Sequence, residues 1–142
     1  MKTIMTNETI IEKINEQVKR IIKETTTEYD KFKSYQLALT TKQVFENAYK
    51  INSINDLYFY FNESGFSDMI NHNVDLYKDN LDNLIKIYNN LLGITGNIMT
   101  ELYEKHFDYE SLYTNLWEDI ELLIQYVYFD NYKYRGAEGN LN

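Results

Sequence analysis

Carboxylates supply most of the chemistry this chain could perform. Asp68, His72, Asp75, Asp79 and Asp82 follow one another at intervals of four, three, four and three residues. A continuous helix over that stretch would set four acids and one imidazole on one face, where a divalent ion could in principle be held. Glu101, Glu104 and Asp108 make a second ladder, with His106 beside it, and Glu118, Asp119 and Glu121 make a third. A di-iron bundle would need a glutamate three residues before each histidine, but Met69 and Tyr103 stand there. Without tighter local definition the ladders read as solvated helix faces, and no metal site is expected.

Other catalytic inventories are equally thin. Ser34, Ser53, Ser64, Ser67 and Ser111 include none in a Gly-x-Ser-x-Gly elbow, and Ser53 and Ser67 suit turn or capping positions. The glycines, Gly65, Gly93, Gly96, Gly136 and Gly139, are too scattered to build a phosphate loop or a dinucleotide fingerprint. With no cysteine and only two histidines, disulfides, thiolate nucleophiles and cysteine zinc sites drop out. The expectation is a non-enzyme with no catalytic residues and no cofactor.

The elements that carry these ladders are helical by pattern. There is no proline in 142 residues, so helices can run long. Ile10, Ile14, Val18, Ile21, Ile22, Tyr29 and Phe32 recur at mostly three and four, which predicts a first helix over about 7–35. Its charges alternate, Glu16 against Lys19 and Arg20 and Glu28 against Lys31, as on a solvated face. Thr40 and Gln43 form a capping box, with Leu39 and Val44 placed as a hydrophobic staple. The helix they open is expected to reach Ile51 and to bury Val44, Phe45, Ala48 and Tyr49. Ser53 and Asp56 suggest another cap before Leu57–Phe61, which reads as short helix or as strand; helix is preferred, because a lone strand has no partner. A stop is expected at Gly65, one further turn over Phe66–Asn71, and a polar connection at Asn71–Asn73. Tyr77, Leu81, Leu84, Ile85, Tyr88, Leu91 and Leu92 predict a helix over 74–92 ended by Gly93. A shorter helix carries Ile98 to Phe107, and a last long one runs over about 109–132. The fold expected is all-α, a compact bundle of about six helices, two or three of them long. It forms a single domain over 1–135, with a flexible tail over 136–142.

Charge is divided unevenly along this bundle. Residues 1–50 carry 9 basic and 7 acidic side chains, and residues 51–142 carry 5 basic and 15 acidic ones. A uniformly basic nucleic-acid coat is thereby excluded, and no direct nucleic-acid partner is expected. The N-terminus lacks the apolar run of a signal peptide, and no stretch is apolar for 18 residues. A cytoplasmic protein without a membrane partner is the expectation. The first helix can bury its stripe in its own bundle, so a monomer or weak dimer follows.

Carboxylates every helical turn place a charge about every 5.4 Å, against about 3.4 Å per phosphate along one DNA strand. One stripe is too sparse to imitate DNA, whereas two adjacent stripes approach it. Asp75, Asp79 and Asp82, Glu101, Glu104 and Asp108, and Glu118 and Glu121 are the candidate partner-binding residues. Tyr128 and Tyr132 join them as aromatic anchors from the Tyr-rich tail. The segments Glu28-Tyr29-Asp30-Lys31-Phe32 and Glu46-Asn47-Ala48-Tyr49 resemble a pattern in uncharacterised proteins of mobile elements. In size, lack of cysteine, helical pattern and acidic second half the chain also resembles the small acidic helical inhibitors, of anti-CRISPR and anti-restriction type, of Gram-positive phages and mobile elements. That resemblance covers about a sixth of the chain and assigns no functional residue. It implies a protein partner that is basic and binds nucleic acid, such as a CRISPR or restriction nuclease. The alternative is a small helical scaffold or regulator whose acidity serves only solubility.

Overall fold

The computed structural model describes residues 6–106 and 116–129, and among these residues there are seven helices and no strand. They are α1 (Asn7–Leu37), α2 (Thr41–Glu46), α3 (Ala48–Glu63), α4 (Gly65–Leu76), α5 (Leu81–Leu92), α6 (Ile98–His106) and α7 (Leu116–Tyr128). The all-α bundle is as the periodicity predicts. The starting point expected near Tyr109 for the last helix, the end of the sixth at Phe107 and the tail over 136–142 lie outside the described residues.

α1 is the long helix and the axis of the bundle, contacting α3, α4, α5 and α6. Thr6 caps it by accepting the Thr9 amide at 3.0 Å, and Glu8 in the first turn suits the positive end of the helix dipole. Its buried seam is Ile10, Ile14, Val18, Ile21, Thr25 and Glu28, one residue per turn. Thr25 and Thr26 sit mid-helix because their hydroxyls donate back to the Ile22 carbonyl at 2.8 and 3.0 Å. Facing this seam are Leu84, Ile87 and Leu91 of α5 and Ile54 and Leu57 of α3, members of the same buried cluster as Ile120, Leu123 and Ile124 of α7.

The seam ends in a carboxylate, and this corrects the expected pairing of Glu28 with Lys31. Glu28 is 8% exposed. Its oxygens accept the amides of Met99 and Thr100, each at 2.8 Å, and the Thr100 hydroxyl at 2.8 Å. These amides belong to the first turn of α6, so α1 caps α6 with a full negative charge at the positive end of its dipole. Two turns earlier Arg20 does the converse for α5. Its guanidinium donates to the carbonyls of Leu91 and Ile94 at 3.0 Å each and pairs with Glu24 at 2.8 Å. Those carbonyls end α5 and begin the α5–α6 connection. Arg20 thus keeps an i, i+4 partner, but in Glu24 rather than the expected Glu16, and Glu28 leaves Lys31 because a helix end offers several aligned donors, where one exposed side chain offers only one.

Three further boundaries differ from expectation. The helix opened by Thr40 has its capping box, with Gln43 amide to Thr40 hydroxyl at 3.2 Å and Thr40 amide to Gln43 side chain at 2.9 Å. It stops at Glu46, however, and none of its residues is buried. Val44, Phe45, Ala48 and Tyr49 are therefore exposed, contrary to the expected burial; a helix this short cannot build a stripe, and α3 takes the core instead with Ile51, Ile54, Leu57, Tyr60 and Phe61. Ser53 is no cap but a buried residue inside α3, Leu57–Phe61 is helix, and Ser67 lies within α4. Asn71–Asn73 is helical rather than a connection, because Phe66, Met69, Ile70 and Val74 form a seam across it and the Asn73 side chain donates to the Met69 carbonyl at 3.1 Å. The break falls instead at Tyr77–Asn80, so the expected helix over 74–92 is divided. Asn80 caps α5 by accepting the Asn83 amide at 3.1 Å, and the Asn7 side chain holds the turn by donating to the Lys78 carbonyl at 2.8 Å.

Between α3 and α4 the chain turns sharply through Ser64, whose φ is 132°, a conformation costly for any residue with a Cβ. Gly65 follows because a Cβ there would stand 2.4 Å from Cδ1 of the buried Tyr60 ring. This close approach sets the angle between α3 and α4. Gly65→Ala should accordingly lower stability by about 1 to 3 kcal/mol through overpacking. Thr40→Ala, on a helix that buries nothing, should cost only about 0.5 kcal/mol, the low end for a lost cap. Urea unfolding of both variants checks the order; equal losses would contradict it.

Candidate functional site

α4 and α7 lie against each other, and their acidic residues meet across a cavity of about 370 Å³. Asp68 and His72, one turn apart, form the α4 wall, while Glu118 and Glu121 form the α7 wall. Tyr60, Gly65 and Met69 complete the lining. Because Gly65 carries no side chain, the Tyr60 ring packs directly against the start of α4. The Tyr60 hydroxyl donates to the Met69 sulfur at 3.7 Å, and the Ser64 hydroxyl lies 3.4 Å from Asp68 Oδ2.

The cleft therefore gathers three carboxylates and one imidazole over an aromatic and thioether floor. Asp68, His72 and Glu118 are exposed and Glu121 is half-buried. Glu121 holds its proton to higher pH than an ordinary glutamate, chiefly because of burial, with Glu118 adding repulsion and His72 partly offsetting it. Burial, with Glu121 and Asp68 nearby, also pushes the Tyr60 phenol up. Tyr60 stays protonated and remains a donor, while the acids accept. Such a site attracts cations, and a cation entering it would meet the carboxylates of Asp68, Glu118 and Glu121. Among the described residues no group of three or more His, Cys, Asp or Glu is arranged to hold a metal ion.

The ladders read from sequence are placed unevenly. α4 ends at Leu76, so Asp68, His72 and Asp75 share one helical face while Asp79 falls in the following turn and Asp82 in the first turn of α5. All three of Asp75, Asp79 and Asp82 are exposed, and Asp82 also complements the α5 dipole. Glu101 and Tyr128 are brought together and occupy one another, the phenol donating to the carboxylate at 2.7 Å. This bond fastens α7 to α6, and burial, with the bond to Glu101 adding to it, pushes the Tyr128 phenol up. Glu104 is exposed on α6. Asp108 and Tyr132 lie outside the described residues.

Sequence reasoning misses Asp68 and His72 as partners of Glu118 and Glu121, since only the packing of α7 on α4 makes them neighbours. It also misses Glu28 and Arg20. A signal for Glu28 existed in its position three residues past Thr25 in the apolar seam of α1.

No family model matches this chain, and neither a curated protein nor a solved structure matches it.

The raised pKa of Glu121 gives a pH dependence of definite sign. The folded state binds this proton more tightly than the unfolded chain, so the group favours folding at low pH and loses that contribution as pH rises through its raised value. Glu121→Gln should raise the melting temperature at neutral pH, and the gain should vanish below the ordinary carboxylate range. Thermal unfolding across pH checks this; a variant less stable than wild type at neutral pH would mean that Glu121 is held by attraction.

Proposed function

We propose that this chain is a non-catalytic, cytoplasmic binding protein of a phage or mobile element that covers the basic nucleic-acid groove of a host protein, such as a CRISPR or restriction nuclease. One observation carries the reading: acidic residues of α4 and α7, Asp68 with Glu118 and Glu121, line one cleft between two packed helices. Acids from two packed helices bring the charge spacing toward that of a nucleic-acid backbone, which one stripe cannot do. Asp75, Asp79 and Asp82 extend the field beyond the cleft and attract a basic partner over distance. Within the cleft Glu121 is already partly desolvated, so a cation entering it meets a carboxylate less screened than those at the rim. Glu101 and Tyr128 support this surface by fixing α7.

Affinity capture from a bacterial lysate containing CRISPR and restriction nucleases, followed by competition with duplex or guide nucleic acid, tests the reading. A captured nuclease should be released by nucleic acid, and its association should slow steeply with salt, because exposed charges are screened over about 8 Å at physiological ionic strength. Replacing Asp68, Glu118 and Glu121 together by Asn, Gln and Gln should slow association about tenfold or more. Binding should also weaken as pH falls through the raised Glu121 value, since the bound cation must displace that proton. Capture of no nucleic-acid-binding protein, or a partner indifferent to the triple substitution, would favour the scaffold reading.

A further inference from the structure

Beyond the point where the buried seam of α1 ends, a cavity of about 250 Å³ opens between this helix and α3. Tyr29, Lys33, Gln36 and Leu37, at intervals of four, three and one, line it from one face of α1, and Asn55 lines it from α3. Among the described residues no acid lines it, although the chain carries a net charge of -8. Its one charged group is the Lys33 ammonium.

The polar groups of this cavity are held in place and still have hydrogen bonds to give. The Tyr29 ring stacks on Tyr58, with centroids 4.0 Å apart and planes 8° from parallel, and its hydroxyl donates to Asn55 Oδ1 at 2.8 Å. That bond fixes which way the amide faces. Oδ1 is taken, and the Nδ2 group, which donates to nothing among the described residues, keeps both its hydrogens. The Gln36 side-chain amide is likewise without a hydrogen bond among the described residues. Lys33 Nζ lies 5.0 Å from the Tyr29 centroid and 3.7 Å from Asp30, at the long limit of an ion pair between exposed side chains. One cation and two amides thus line a single cavity with donors unused.

We propose that this cavity binds a monocarboxylate with a small apolar body. An ionised carboxylate only accepts hydrogen bonds, through two coplanar oxygens, and the groups that face it here are an ammonium and two amides. Lys33, partly neutralised by Asp30, balances one negative charge; a dianionic phosphate calls for a second cation and meets stronger repulsion from Asp30. A cationic ligand is repelled by Lys33 and finds no acid in the lining. Leu37, 86% exposed, gives the apolar body a surface to cover. The volume falls below the roughly 300 Å³ at which drug-sized pockets begin, which limits that body to about one ring or a short chain. A free acid and the side chain of an acidic peptide present the same group, and the test separates them. The α4–α7 cleft shares no residue with this cavity, so the proposal stands apart from the functional reading above.

Titration of the isotope-labelled full chain with sodium benzoate, and separately with an acetylated and amidated Leu-Glu dipeptide, tests it, read from the side-chain amide resonances of Asn55 and Gln36. The expected result is a saturable shift of both resonances with at least one probe, benzoate alone marking a free-acid site and the peptide alone a side-chain site. Neutral benzamide should bind about tenfold or more weakly, and phosphate should not displace the bound probe. Lys33→Gln, at an exposed position, should weaken binding about tenfold with an unchanged helical spectrum. Asn55→Asp keeps an acceptor for Tyr29 but sets a carboxylate where the donor stood, and should abolish the Gln36 shift. Tyr29→Phe, which frees the Asn55 amide to turn, should weaken binding about threefold and reports on the same geometry should Asn55→Asp fail to fold. A shift of neither resonance with either probe, equal binding of benzamide, displacement by phosphate, or an affinity unchanged by Lys33→Gln or by a folded Asn55→Asp would overturn the proposal.

Discussion

Two charged side chains on α1 hold the connection between α5 and α6. Arg20 meets the carbonyl end of α5, and Glu28, eight residues and about 12 Å further along the helix axis, meets the amide end of α6. A helix ends in unsatisfied carbonyls and begins with unsatisfied amides, and each end here receives a charge of the sign its dipole favours. For Glu28 the arrangement is demanding, because a buried carboxylate without a basic partner must be satisfied wholly by hydrogen bonds. It accepts three, all at 2.8 Å. The direction in which α6 leaves the connection is fixed by those bonds.

Everything downstream inherits that direction. α7 is fastened to α6 by the Tyr128 to Glu101 hydrogen bond and buries Ile120, Leu123 and Ile124 in the common core. Its opposite relation is with α4, where Glu118 and Glu121 come to face Asp68 and His72. The cleft is thus assembled from elements distant in sequence, and its like charges oppose folding. Burial and repulsion both raise Glu121, a cost the capped and packed α1–α6 framework offsets.

What the sequence makes legible is what local physics decides. The α1 seam, the Thr40–Gln43 capping box and the end of α5 at Gly93 are all set by neighbours within a few residues. Burial at the second helix is not, because Val44 and Phe45 look like core residues until the helix is known to stop at Glu46 and to leave them facing solvent. The asparagines at 71 and 73 resemble a loop, but the seam of Phe66, Met69, Ile70 and Val74 overrides that local preference. Glu28 is the sharpest case. Its nearest opposite charge in sequence is Lys31, whereas its actual partners lie 71 and 72 residues away. Of the acidic ladders, the spacing along each helix was readable and their juxtaposition was not, since that depends on the path set by Glu28.

Amide hydrogen exchange on wild type and Glu28→Gln tests this dependence most directly. Glutamine keeps the size of the side chain but loses its charge and one acceptor oxygen, weakening charge-assisted bonds worth about 1.5 to 3 kcal/mol each. The account predicts that the Met99 and Thr100 amides lose protection in the variant, that the loss spreads through α6 and α7, and that α3 and α4 keep most of theirs. Unchanged protection at Met99 and Thr100, or an equal loss in every helix, would contradict it.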